Sequence, residues 1–335
     1  MDPLVRMPHG PGAREVSAVG RPSPLGAGIL LVLLTAGISG VSTLLNAYAV
    51  AGTSSAAFVT VRNAAVALAL VPVFLLATRR LRAPSLRSGD YGRLLLIGLV
   101  GGAVPFLLFF QGLQMATAAG GAATASFGYR SLFLFASVFA LLYLKERFPW
   151  RAVLAASLLL GGNVLLLSLT TPLWTDGTAY VLAATVLWAA EYTLSKRAMR
   201  DLPSATVALG RMGFGAVFLV GYLGLTTQWG AVARFSGAQW AWVGISAALL
   251  LAFVATWYPG LKRVDVGVGT SVLVLGFPIT WVLGTLIAGG TFSGAQALGA
   301  GAILLGVGLA VGWRSLKEAG RSLGQLFRRP DPVSP

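Results

Sequence analysis

The chain of 335 residues contains no cysteine and a single histidine, His9. Without cysteine there are no disulfides and no thiolate metal sites. Charge is also scarce. Only 10% of residues are Asp, Glu, Lys or Arg, against about 25% in a soluble domain. Acids are scarcer still, at 10 against 25 Lys and Arg, for a net charge of +15. A basic chain invites a nucleic-acid reading, but no segment is long enough to form a soluble domain that gathers the charge. Its distribution points to a membrane surface instead. No G-x-x-x-x-G-K-[ST] stretch is present, so ATP-driven pumping has no support. What is abundant is apolar: 56% of residues are hydrophobic and the mean hydropathy is +0.79. This is the composition of a polytopic membrane protein.

Apolar runs of about 20 residues recur ten times, near 25–50, 53–78, 92–114, 119–144, 150–169, 177–199, 203–226, 238–261, 266–288 and 293–313. The first 24 residues, rich in Pro and Gly, are expected to be disordered. Ala49-Val50-Ala51 has the form of a signal-peptide cleavage site, but the apolar run of about 25 residues before it is too long for an h-region. With the N-terminus cytoplasmic, all but four of the 25 basic residues fall on the inner side. Arg234 is then outside, and Arg62, Arg130 and Arg211 lie in the membrane. This bias predicts ten transmembrane helices with both termini cytoplasmic. Beyond the tenth run, Leu316, Leu323, Leu326 and Phe327 share a helical face beside Lys and Arg. A surface helix on the anionic inner leaflet and a solvated basic tail both fit.

One stretch occurs twice. Ser55-Ala-Ala-Phe-Val-Thr-Val-Arg62 and Ser204-Ala-Thr-Val-Ala-Leu-Gly-Arg211 are offset by 149 residues, as are Leu45/Leu194, Ala49/Ala198 and Leu70/Leu219. Later landmarks shift. Gly112-Leu113 matches Gly260-Leu261 at 148, and Phe148 matches Phe292 at 144. A difference of four residues therefore lies in or near the fourth and ninth helices. Five helices per copy is an odd number, so the second copy enters from the opposite side as an inverted repeat. Small residues cluster in Ala119–Ser126 and through the tenth helix, where they let helices approach closely. Pro105, Pro259 and Pro278 lie in or at the ends of helices 3, 8 and 9 and predict kinks.

Together these features resemble the EamA-type branch of the drug/metabolite transporter superfamily. The resemblance rests on the inverted five-plus-five order and on an Arg early in helices 2 and 7. It also rests on Leu144-Lys-Glu-Arg147 closing helix 4, Gly161-Gly162 in helix 5, Trp188-Ala-Ala-Glu-Tyr192 in helix 6, Phe277-Pro278 in helix 9 and Gln296-Ala-Leu-Gly299 in helix 10. It covers 25–313, as two EamA-like repeats at 25–169 and 175–313, between the N-terminal tail and a basic C-terminal tail at 314–335. There are two departures. The counterpart of Pro278 is Arg130, and the Glu of Lys145-Glu146-Arg147 is matched by Gly290. The resemblance implies a bacterial inner-membrane exporter of amino acids, metabolites or drugs, with a cavity lined mainly by helices 1, 3, 4, 6, 8 and 9.

An Arg at the centre of a spanning helix costs roughly 2.5–3.5 kcal/mol on insertion scales. Four charged residues lie well inside the expected spans: Arg62, Arg130, Glu191 and Arg211. At 1.5 Å per residue, Arg130 is about 17 Å into helix 4, near the midplane. Glu191 and Arg211 each stand ten residues from Asp201, the turn of their hairpin, so an ion pair is expected. Glu191, Arg211 and Arg62 are candidates for coupling or ion pairing. For Arg62 and Arg211, holding helix ends and backbone carbonyls is the favoured alternative. Arg130, Tyr129, Gln111, Asn46, Trp188, Tyr192, Trp257 and Trp281 are candidates for the substrate lining, with a structural role as the alternative for Arg130 and ordinary packing or interface anchoring for the others. No embedded His, Cys or Asp accompanies Glu191, so the acid, base or ligand cluster that a membrane enzyme needs is missing. The expectation is a transporter driven by a solute or proton gradient, with no cofactor. A small carboxylate-bearing solute is the first choice of substrate. A drug exporter is the alternative, and a lipid flippase or a non-transporting scaffold the remote ones.

Overall fold

The computed structural model describes residues 23–80, 86–118, 127–146, 149–167, 174–291 and 293–327. The expected disordered N-terminal tail up to residue 22, the small-residue stretch Ala119–Ser126, Arg147, the Phe148/Phe292 landmark and the tail from 328 lie outside them.

The ten expected spans are helices. They are α1 (Pro24–Ala49), α2 (Ser55–Arg80), α3 (Ser88–Ala118), α4 (Phe127–Leu144) and α5 (Trp150–Leu166), then α6 (Asp176–Ala198), α7 (Ser204–Leu225), α8 (Gly237–Arg263), α9 (Val266–Ile287) and α10 (Gly294–Val311). Eight of them are long and apolar enough to cross a membrane. The ninth, α5, is an apolar helix of 17 residues, and α6 is long enough but carries Asp176, Glu191, Lys196 and Arg197. Helix starts are set locally. Ser23 caps α1 with Pro24 in its first turn, and Ser236/Gln239 and Ser293/Gln296 form reciprocal capping boxes on α8 and α10.

Packing obeys the duplication. Helix α1 lies along α8 as α6 lies along α3, and α1 meets α9 as α6 meets α4. Likewise α2 meets α8 as α7 meets α3, while α2 pairs with α7 and α5 with α10. Exchanging the halves leaves this pattern unchanged, and five crossings per half make the repeat inverted. Glycines carry the equivalent contacts. A β-carbon on Gly112 would collide with the Gly177 carbonyl across α3–α6. In the other half, Gly260 of α8 packs onto α1 beside Gly28. Lipid supplies no hydrophobic drive between helices, so close van der Waals approach must hold them together.

Three helices near the centre, α3, α4 and α9, are broken, whereas α8 runs unbroken through Pro259. In α9 Pro278 cannot donate to the carbonyl four residues back. The chain turns at Val274–Leu275, with the Phe277 amide bonded to the Val274 carbonyl instead of to Leu273. In α3 Pro105 leaves the Gly101 carbonyl without its helical donor, and Gly98–Ala103 is a π-helical segment. Helix α4 turns at Ser131 and ends in a second π segment, Ala140–Leu144. Lys145 then takes a left-handed conformation (φ 57°) and Glu146 returns its amide to the Ala140 carbonyl. That corner directs the Glu146 carboxylate onto the N-terminus of α9, where it accepts from the Val266 and Gly267 amides at 3.0 and 3.4 Å. Burial is the largest influence on this carboxyl and raises its pKa, while the two amides oppose the rise.

After α10 the chain forms α11 (Trp313–Phe327). The helix packs on α1 through Leu316, Ala319 and Ser322, and Ser23 donates to Glu318 at 2.9 Å. The buried side is therefore mostly small residues, and Leu323 remains 45% exposed.

Candidate functional site

A cavity of about 60 Å³ lies where the two halves meet. Its walls come from seven helices. Ser39, Ser42, Thr43 and Asn46 descend one face of α1, and Phe106, Phe109 and Phe110 one face of α3. Arg62 enters from α2, Tyr129 from α4, Trp188 and Tyr192 from α6, Arg211 from α7, and Leu250 and Phe253 from α8. The duplicated arginines meet here. Both are close to the Phe106 ring, whose centroid is 4.8 Å from the Arg62 guanidinium carbon and 5.3 Å from that of Arg211. Antiparallel α2 and α7 thus bring two residues with the same place in their repeats to one ring.

Their electrostatic surroundings differ. Arg211 lies 3.4 Å from Glu191, and both are buried. The other Glu191 oxygen accepts from Ser195 and from the Tyr258 hydroxyl, the latter at 2.7 Å. Arg62 has neutral partners only among the described residues. Its Nε and Nη2 donate to Asn63 Oδ1 at 3.0 and 2.8 Å, and Nη1 reaches Ser246 at 3.5 Å. Ser246 donates to Asn46 Oδ1 at 2.6 Å, and Asn46 donates to Ser42 at 3.1 Å. A polar chain therefore runs from Arg62 to the hydroxyls of α1. Phe110 lies 4.5 Å from the same guanidinium. With Glu191 ionised, the three buried arginines and one buried acid among the described residues leave two embedded positive charges without an ionic partner there. Charges buried in this way are costly unless something pairs with them.

Arg130 sits beside the cavity rather than in its wall. It donates to the Leu273 carbonyl at 3.0 Å, to Ser39 at 3.3 Å and to Thr43 at 3.2 Å. The Leu273 carbonyl is the one released by the break before Pro278. The arginine that stands in the place of a proline in α4 thus bonds the carbonyl that the turn before the α9 proline leaves open. It also lies 5.1 Å from the Tyr129 ring. Two further side chains serve the broken α3: Trp188 Nε1 donates to the Gly101 carbonyl and Asn63 Nδ2 to that of Gly102, each at 3.1 Å.

The other candidates divide. Asn46, Tyr129, Trp188 and Tyr192 line the cavity. Trp257 is fully buried behind it, its ring centroid 4.6 Å from that of Tyr192. Gln111 is outside it and accepts from Ser55, at the start of α2, at 2.9 Å. Trp281 is half-buried on α9 at the margin of the core. Helix α9, expected from the resemblance among the cavity helices, meets the site through the Leu273 carbonyl and supplies none of its lining side chains. Sequence reading passed over Ser39, Ser42 and Thr43. Their spacing with Asn46, three and four residues apart on one face of an apolar helix, is the signal that marks them. It also passed over the Phe106 group, whose apolar side chains look like any other core.

Among the described residues no group of His, Cys, Asp and Glu could hold a metal ion. No curated protein matches the chain. One solved crystal structure superposes with a TM-score of 0.64 at 21% identity, over 87% of this chain and 99% of its own, a likeness of fold alone. A family model for EamA-like transporters matches residues 26–168 and again 176–312. The fold, the duplication and the two matched halves agree, and the chain belongs to the EamA-like transporter family.

Proposed function

We propose that this membrane transporter exports amino acids or related small metabolites that carry a carboxylate, driven by a solute or proton gradient. Arg62 carries the reading. It is a buried guanidinium on the cavity wall with neutral partners only among the described residues. A guanidinium offers two parallel N–H groups to a carboxylate, and the pair removes an uncompensated charge. Arg211 already has Glu191, and Arg130 is engaged by three oxygens. Both serve better as supports of the site than as its anion receptor. Glu191 is the embedded acid and so the candidate proton carrier. In this reading both termini are cytoplasmic in a bacterial inner membrane, as the distribution of Lys and Arg favours, and the halves rock about the midplane.

The aromatic wall of Phe106, Phe109, Phe110 and Phe253 favours a second reading, efflux of apolar drugs. Counterflow into proteoliposomes separates the two. Proteoliposomes are preloaded with an amino-acid mixture, and external amino acids compete against their methyl esters and amides. The proposal expects competition by free carboxylates and none by the blocked forms. Equal competition by both would favour the drug reading.

A further inference from the structure

A second and larger cavity, of about 700 Å³, lies toward the end of the bundle that carries Lys196, Lys262 and Arg263. It is walled by α1, α4, α5, α9 and α10, with Arg263 at the end of α8 and Ser315 of α11, and shares no lining residue with the seven-helix site. Its interior is apolar, with Ile29, Phe133, Leu141, Ala156 and Val268 on its walls. Charge is confined to one end, where Arg151, Arg263, Glu146 and Asp265 form the rim. Glu146 is already occupied by the amides of α9. Arg263 spends one N–H on the Pro259 carbonyl at 2.7 Å and keeps others to offer.

Two features identify the occupant. The first is depth. Along α4 the wall runs from Leu141 to Phe133, eight residues or about 12 Å, which is most of one leaflet of a bilayer core about 30 Å thick. The second is access. Val138, Leu141 and Val153 are lining residues that are also 53%, 47% and 58% exposed, so the cavity opens sideways at the lipid-facing surface. A cleft most of one leaflet deep, open to the side, apolar inside and with two arginines among the charged groups at its end matches a phospholipid. We infer that it is a binding site for one anionic phospholipid, with an acyl chain in the cleft and the phosphate between Arg151 and Arg263. The chain gains little by leaving one apolar medium for another. The charged contacts therefore supply the preference.

The test is lipid retention, which is independent of the transported solute. The full-length protein is reconstituted in nanodiscs of phosphatidylglycerol and phosphatidylcholine in equal parts. It is then extracted in mild detergent, and the bound lipid is measured by native mass spectrometry. One phosphatidylglycerol per protein is expected, at least tenfold above phosphatidylcholine. Arg151→Gln with Arg263→Gln should abolish the preference. Ala156→Trp, which fills the cleft, should abolish retention. If Ala156→Trp fails to fold, the arginine pair alone decides. Equal retention of the two lipids by the wild type, retention unchanged in the arginine variant, or a second protein copy in place of lipid would overturn the assignment.

Discussion

Replacing Arg62 separates a substrate-binding guanidinium from a structural one, because the two roles give opposite stability and transport signatures. Its fixed partners are neutral: Asn63, Ser246 and the rings of Phe106 and Phe110. Arg62→Met leaves Asn63 Oδ1 short of its donors, at about 1–3 kcal/mol. It also removes an embedded charge whose insertion costs roughly 2.5–3.5 kcal/mol. The two effects nearly cancel, so the melting temperature should stay close to that of the wild type or rise. Substrate binding should not survive. At 4 Å and an effective dielectric near 20, a guanidinium and a carboxylate attract by about 4 kcal/mol, or about a thousandfold in affinity. Arg62→Lys keeps the charge and loses the fork. A charge-assisted hydrogen bond is worth about 1.5–3 kcal/mol, so that variant should weaken binding roughly 10- to 100-fold. The assay is counterflow with the variants matched for expression and melting temperature. If Arg62→Met transports carboxylates at wild-type affinity, or loses transport only in step with a falling melting temperature, the reasoning fails.

Other expectations follow from the same geometry. Glu191→Gln should abolish pH-driven flux in vesicles while leaving exchange, and full pH-driven flux in the mutant would exclude Glu191 as the proton carrier. Arg130→Gln removes a donor from three oxygens, at about 1–3 kcal/mol each, against roughly 2.5–3.5 kcal/mol regained by removing an embedded charge, so a net loss of thermal stability is expected; an unchanged melting temperature with transport selectively lost would restore Arg130 to the binding site. Trp188→Phe keeps the ring and frees the Gly101 carbonyl, so a similar loss of stability is expected in a melting curve, and none would remove the tryptophan from its supporting role. Single cysteines introduced at 86–93 should react with impermeant reagents from the cytoplasmic side only, and those at 226–237 from outside only; the reverse would overturn the topology.

The helices and their order were legible because lipid imposes a simple grammar: a span must be long, apolar and internally hydrogen-bonded. The duplication was legible for the same reason, since Arg62 and Arg211 stand out against apolar neighbours. The Glu191–Arg211 approach could be reasoned from equal distances to one hairpin turn. What escaped depends on helix rotation and on breaks. Depth in the membrane locates Arg130 near the midplane but does not say which way it points. Only the break at Val274–Leu275 shows why it turns to the Leu273 carbonyl. Pro105 and Pro278 were visible as kink sites. The carbonyls left open at those breaks, and the distant Trp188 and Arg130 that bond them, were not. Gln111 and Trp281 were polar or aromatic residues at suitable depths, and rotation takes them away from the cavity.

The central claim is that a carboxylate is bound at Arg62. Its most direct test is a thermal-shift titration of purified wild type and Arg62→Met against amino acids, organic acids and cationic dyes. Stabilisation of the wild type by at least one carboxylate-bearing solute, absent in Arg62→Met, is the predicted result. Stabilisation by cationic dyes alone, equal in the two proteins, would contradict it.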